Sequence, residues 1–294
     1  VSRREQGLKK EHMTYRSIER LVHGKPTSDG DGVKLTRVLT QDLQKRLDPF
    51  LMLDSFATDD ASDYIGGFPN HPHRGFETVT YMIEGRMRHK DNAGNEGLLR
   101  PGSVQWMTAG KGIIHSEMPE QEDGRMEGFQ LWLNLPSEEK MCTPKYKDFE
   151  PGDIPFHDEE SGIRVKVISG DFKGTLGPMQ TPKTKTQFYD LWFSDESNGE
   201  IEFDMPASTN AFIFVYRGEL EAVGHESTQV IPKSTMAIMA NDANKIKIRG
   251  RAKSKAILIS GVPLNEPIAQ YGPFVMNTQE QLIQAVNDFR AGLF

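Results

Sequence analysis

The chain has 294 residues, a formal net charge of −7 and a mean hydropathy of −0.56. That length accommodates one large or two medium domains with a sizeable core, and the acidic balance argues against direct nucleic-acid binding, which depends on basic surface. No apolar run approaches the roughly 18 residues that a membrane helix needs, and the one cysteine, Cys142, excludes an intramolecular disulfide and fits a reducing compartment.

Residues 1–30 are polar and read as an arm leading into a first strand near residues 16–23. The start is charged, without the apolar core of a signal peptide, so a soluble, cytoplasmic protein is expected, with the nucleus added for a eukaryotic one. After a turn cluster at residues 27–32, Val33–Leu39 alternates as a strand does, and residues 50–56 form a further apolar run. From Phe76 the alternation sharpens: residues 77–84 are rich in β-branched and aromatic side chains and end at Gly85, as a strand does at a hairpin. Turns at residues 91–97 and at Pro101-Gly102 follow. Short strands at near-regular spacing, with little helical signal, predict an all-β sandwich or barrel.

The chemistry is concentrated between His71 and Glu117. His71 and His73 stand two residues apart, as do His115 and Glu117. On extended chain, residues two apart share a face. Two such strands brought together around a barrel interior would converge three imidazoles and a carboxylate on one point. A single His-x-His run is common by chance and usually carries nothing. The second pair changes the balance, because buried His and Glu are costly unless paired or bound to metal. The pattern predicts a metal site with N and O donors and room for exogenous ligands.

Two runs carry a resemblance as well. His71-Pro-His-Arg-Gly-Phe-Glu-Thr-Val-Thr-Tyr81 and Gln105-Trp-Met-Thr-Ala-Gly-Lys-Gly-Ile-Ile-His-Ser-Glu-Met-Pro119 resemble the two cupin motifs and, more closely, the pirin family. Leu47-Asp-Pro-Phe-Leu-Met-Leu-Asp54 and Gln130-Leu-Trp-Leu-Asn-Leu-Pro136 extend the likeness. The resemblance implies two cupin barrels (double-stranded β-helix, or jelly-roll) and one iron-type metal in the N-terminal barrel. It also implies quercetin 2,3-dioxygenase chemistry, with a flavonol and O2 as reactants and carbon monoxide released on ring opening. Eukaryotic pirins imply an alternative, a metal- and redox-dependent regulatory protein that binds protein partners.

On this reading His71, His73, His115 and Glu117 hold one non-heme metal. Fe(II) suits the mixed donors best, and Mn, Ni, Cu or Zn can also occupy them. Glu117 is the expected general base, with Glu77 as the less favoured choice. Strict alternation from His73 puts Glu77 on the ligand face, and many cupins use that position as a ligand. The pirin pattern draws its carboxylate from the position of Glu117 instead, which leaves Glu77 to orient an imidazole through its other nitrogen. His89 precedes a turn and reads as a surface residue, while His12, His23, His157 and His225 lack a partner at ligand spacing.

Alternation stops after Pro136, so the predicted domains are residues 1–136, a metal-binding cupin barrel, and residues 137–294, a degenerate cupin barrel with a C-terminal helix. Residues 211–223 echo residues 79–87, and superposing Gly218 on Gly85 places Asp204 and Pro206 where His71 and His73 stand. The second barrel is therefore expected to lack metal ligands. The basic alternation of residues 245–255 reads as a solvated face. Thr278-Gln-Glu-Gln281 resembles a capping box, with Leu282, Ile283, Val286 and Phe289 expected on one helical face.

Overall fold

A computed structural model describes residues 14–194 and 199–294. Residues 1–13 of the polar arm, His12 among them, lie outside the described residues, whereas the rest of it forms the strands Ile18–His23 and Lys25–Asp29. The chain forms two compact units, each with a seven-stranded and a four-stranded antiparallel sheet.

In the unit made of Lys25–Asp153 and Leu264–Phe294, the larger sheet runs Lys145–Phe149, Val104–Thr108, Phe76–Glu84, Met126–Asn134, Phe50–Thr58, Val33–Leu39 and Lys25–Asp29. The smaller sheet runs Phe68–His73, Ile113–Pro119, Met87–Asp91 and Glu96–Leu99. Alternation sends Leu35, Phe56, Met82, Met87, Leu99 and Met126 into one apolar cluster between them. The other unit repeats the same strand order from residues up to Gly24 and Ile154–Pro263. Its interior is filled by Val165, Tyr189, Leu191, Phe203, Ile213 and Leu258, among others.

The unit boundaries differ from the two halves expected from the sequence, 1–136 and 137–294. Lys145–Phe149 pairs with Val104–Thr108 and so belongs to the first barrel. As a half-exposed edge strand it shows little apolar alternation, which is why the pattern faded too early. Ile18–His23 pairs with Thr235–Met239 and closes the edge of the second unit. Leu264–Phe294, with the C-terminal helix, joins the first unit rather than the second. The helix, Gln279–Arg290, has the expected capping box at Thr278 and Gln281. Its buried stripe is Leu282 and Ala285, with Val286 packed alongside, whereas Ile283 is 54% exposed.

This C-terminal segment is tied to the strands that carry the first motif. Gly75 has φ of +93°, and a Cβ there would lie 2.0 Å from the carbonyl oxygen of Val275. Only glycine satisfies both constraints. Buried Lys140 donates from Nζ to the carbonyl oxygens of Gly75 at 2.8 Å and Val275 at 2.9 Å, and to Asn134 Oδ1 at 2.6 Å. Three acceptors match the three N–H groups of an ammonium. Lys140→Met should leave them unpaired and lower unfolding free energy by about 2–4 kcal/mol, measurable by urea denaturation.

The basic strand Lys245–Gly250 is laced with acidic partners. Lys247 pairs with Glu200 at 2.8 Å and Arg249 with the same carboxylate at 2.7 Å, so the face is charge-balanced rather than an open cationic surface.

Candidate metal centre

Strands Phe68–His73 and Ile113–Pro119 are antiparallel neighbours, with His71 directly opposite His115. The i, i+2 spacing adds His73 to the same face. Ring centroids lie 4.4 Å apart for His71 and His115, 4.8 Å for His71 and His73, and 5.0 Å for His73 and His115. One ligand atom from each of the three lies within 4.8 Å of the others, the sole such group of three or more His, Cys, Asp or Glu among the described residues.

The imidazoles fit a metal on their own chemistry. His73 Nδ1 and both ring nitrogens of His115 are buried without a hydrogen-bond partner among the described residues. Buried polar atoms are ordinarily satisfied, and a cation among the rings would take up one lone pair from each of them. His71 donates Nδ1–H to the Pro69 carbonyl at 2.7 Å, which fixes the tautomer and leaves Nε2 with its lone pair. Burial lowers the pKa of His73 well below the usual value and that of His115 to about 4, so both are held neutral, the form that ligates. His73 packs edge-on against Phe76 and Trp132, with ring centroids 5.2 Å and 5.5 Å away.

Arg74 locks the turn after His73. Its guanidinium is buried, pairs with Asp288 of the C-terminal helix at 2.7 Å and lies 4.6 Å from the centre of the Phe294 ring. Its Nε donates to the Lys111 carbonyl at 2.5 Å, bridging the two motif loops.

Glu117 is 4% exposed and lines the same cavity as His71 and His73, yet its carboxylate is outside the cluster of mutually close ligand atoms. It accepts from Gln130 Nε2 at 3.2 Å and 3.3 Å and from Thr80 Oγ1 at 3.4 Å. Glu77 is not brought to the imidazoles at all. Its carboxylate accepts from Thr108 Oγ1 at 2.6 Å and Trp106 Nε1 at 3.1 Å. The alternation count failed because the Arg74-Gly75 turn separates two strands, so the face defined by His73 does not carry through to Glu77. His89 is also unlike its expectation: it is 2% exposed, stacks on Tyr146 and meets Asp148 at 3.2 Å. It precedes a turn, but its strand position opposite Glu117 turns it inward.

The cavity holds about 750 Å³ and is lined by Leu39, Leu51, Met52, Phe68 and Trp132 together with polar groups such as Gln44, Gln130 and Gln270. That volume and mixture suit a small organic ligand. Sequence reasoning missed Gln130, Thr80 and Arg74 as parts of the site. Gln130 and Thr80 did leave a signal, being polar residues at inward positions of otherwise apolar strands.

The titration behaviour of His115 can be read in the stability of the metal-free protein. A folded-state value of about 4 against 6.5 when unfolded means that the unfolded chain binds the extra proton. Stability is full above pH 6.5 and is lost as pH falls towards 4, by about 3 kcal/mol from this group alone. Urea denaturation of chelator-treated protein at pH 7 and pH 4.5 should show the loss.

Comparison with known proteins agrees with this arrangement. Family models for Pirin and for the Pirin C-terminal cupin domain match residues 32–133 and 191–294. A pirin-like protein of Caulobacter vibrioides is 46% identical over 96% of this chain and 100% of its own length. Human pirin is 39% identical over 92% of this chain and 90% of its own. The crystal structure of a quercetin 2,3-dioxygenase from Acinetobacter baumannii is similar with a TM-score of 0.87 and 32% identity, covering 96% of this chain and 99% of that one. No helix among the described residues is long and apolar enough to cross a membrane. The sequence motifs, the doubled barrel and these matches together establish that the chain belongs to the pirin family, as a two-barrel cupin protein.

Proposed function

We propose that the protein is a metal-dependent dioxygenase that opens flavonols of the quercetin type with O2. In this reading His71, His73, His115 and Glu117 hold one non-heme metal, Fe(II) by preference, since mixed imidazole and carboxylate donors suit it. Donor affinity alone also admits Mn, Ni, Cu and Zn. The observation that carries the reading is that the His71 and His73 rings and Glu117 sit on the wall of one 750 Å³ cavity. The activity named for the Acinetobacter baumannii protein supports the choice of substrate.

When bound, the metal would supply charge stabilisation and a template for the reactants. The remaining work falls to the chain. Phe68, Trp132, Leu51 and Met52 offer apolar surface to a flat polyphenol and displace water from it. Glu117 takes the proton of the substrate hydroxyl as general base. Two donor groups, Gln130 and Thr80, take up only part of the carboxylate's roughly four acceptor sites, which leaves room for that hydroxyl. Dioxygen then adds across the deprotonated heterocycle, which opens with loss of carbon monoxide.

His71→Ala and His115→Ala should each abolish metal retention, read by elemental analysis of protein purified without affinity metals. Stoichiometric metal in both variants would sink the ligand assignment. Glu117→Gln keeps shape and one oxygen donor but removes charge and basicity. The metal should stay, more weakly held, while oxygen uptake with a flavonol falls by roughly 10²–10⁴-fold. Full turnover in that variant would make Glu117 a bystander. Should the wild type consume no oxygen with any flavonol, the enzyme reading fails and a partner-binding regulatory role becomes the better account.

A further inference from the structure

Strand register places a row of polar side chains across five neighbouring strands of the metal-site unit. Arg37 stands opposite Asp54, Asp54 opposite Gln130, Gln130 opposite Thr80, and Thr80 opposite Gln105. Opposed residues of an antiparallel pair lie on the same side of the sheet. All five therefore project inward, on the face that also carries Leu35, Phe56 and Met82. At one end Arg37 holds Asp54 through two hydrogen bonds of 2.8 Å and 2.9 Å. In the middle, Gln130 and Thr80 reach across the interior to Glu117.

Gln130 differs from its neighbours in what it does to that carboxylate. Its one amide NH2 group lies 3.2 Å from Oε1 and 3.3 Å from Oε2 of Glu117, so it bridges both oxygens and holds the carboxylate towards itself. Thr80 adds a donor to Oε1. A carboxylate this buried must find donors somewhere. These two give it a satisfied position outside the cluster of ligand atoms formed by the imidazoles.

We infer that Gln130 is a positioning residue that holds Glu117 in a hydrogen-bonded place apart from the three imidazoles, and so competes with the metal for it. The amide thereby caps how tightly the site binds metal and leaves Glu117 available to substrate. This rests on the metal-site assignment above, and not on the identity of the substrate.

Gln130→Met removes both N–H donors at nearly the same length and volume. The deprived carboxylate then gains more from a metal ion than it does in the wild type. With Ni(II) as probe and a competing chelator as the reporter, affinity should tighten by about 10-fold, the scale of a hydrogen bond to a charged group. The rise in melting temperature conferred by Ni(II) should grow with it. A residue that merely supported the barrel would show the opposite sign, because a loosened site binds metal less well. Thr80→Val should act in the same direction with a smaller effect, and carries the test if Gln130→Met does not fold. In a Glu117→Gln background the gain from Gln130→Met should vanish, since the group being competed for has lost its charge. Unchanged or weaker Ni(II) binding in folded Gln130→Met, or a gain that persists without Glu117, would overturn the inference. A wild type that binds no Ni(II) would overturn the metal-site assignment and this inference with it.

Discussion

Burying imidazoles whose nitrogens have nothing to bond costs free energy, and the chain by itself does not return it. His73 Nδ1 and both ring nitrogens of His115 are buried inside a barrel with no hydrogen-bond partner among the described residues. Burial keeps both rings neutral, and their mutual proximity to His71 further disfavours a proton on either. The arrangement persists because the surrounding structure over-determines it. Cross-strand pairing sets His71 against His115, and Phe76 and Trp132 pack against His73. Held in this way, the three rings form a fixed cluster that could hold a metal ion.

The clamp on the far side of the first motif serves the same end. Arg74 and Lys140 draw the His73–Gly75 turn, Lys111 and Val275 of the C-terminal segment into one buried set of hydrogen bonds. Both side chains are buried, and each is satisfied by several partners, the condition under which buried polar groups are tolerable. Removing either would leave carbonyl or carboxylate groups stranded next to a ligand strand. The C-terminal helix thus acts on the site through Arg74 and Asp288, with no residue of its own lining the cavity.

The two units show how little of this chemistry resides in topology. Their sheets have the same strand order, seven strands and four. In one, the interior carries Thr80, Gln130, Asp54 and Glu117 at inward positions and opens into a large cavity. In the other, the interior is occupied by Val165, Tyr189, Leu191, Phe203 and Ile213. At the end of the strand corresponding to Phe68–His73, Asp204 is 92% exposed and stands opposite Lys245. A cupin barrel is a frame, and inward residue identity decides whether it is a site or a core.

By itself the sequence determined the all-β class, the duplication, the inward pairing of His71 with His73 and the position of the second motif. These are local facts: period-two alternation within one strand, turn residues between strands, and ligand types at i, i+2. Tertiary structure decided whatever depended on passing through a turn or meeting a distant segment. Glu77 fell on the wrong face because alternation does not survive the turn at Gly75. His89 looked exposed because a sequence cannot show which strand will lie beside it. The unit boundaries shifted because edge strands such as Lys145–Phe149 and Ile18–His23 bury little and so write a faint pattern, while their membership is fixed by backbone pairing that carries no side-chain signature. Gln130 shows in the sequence only as a polar residue on an apolar strand, and its role depends on the same kind of distant pairing. Its partner Glu117 is 13 residues away along the chain, and only the closing of the barrel sets its amide across that carboxylate.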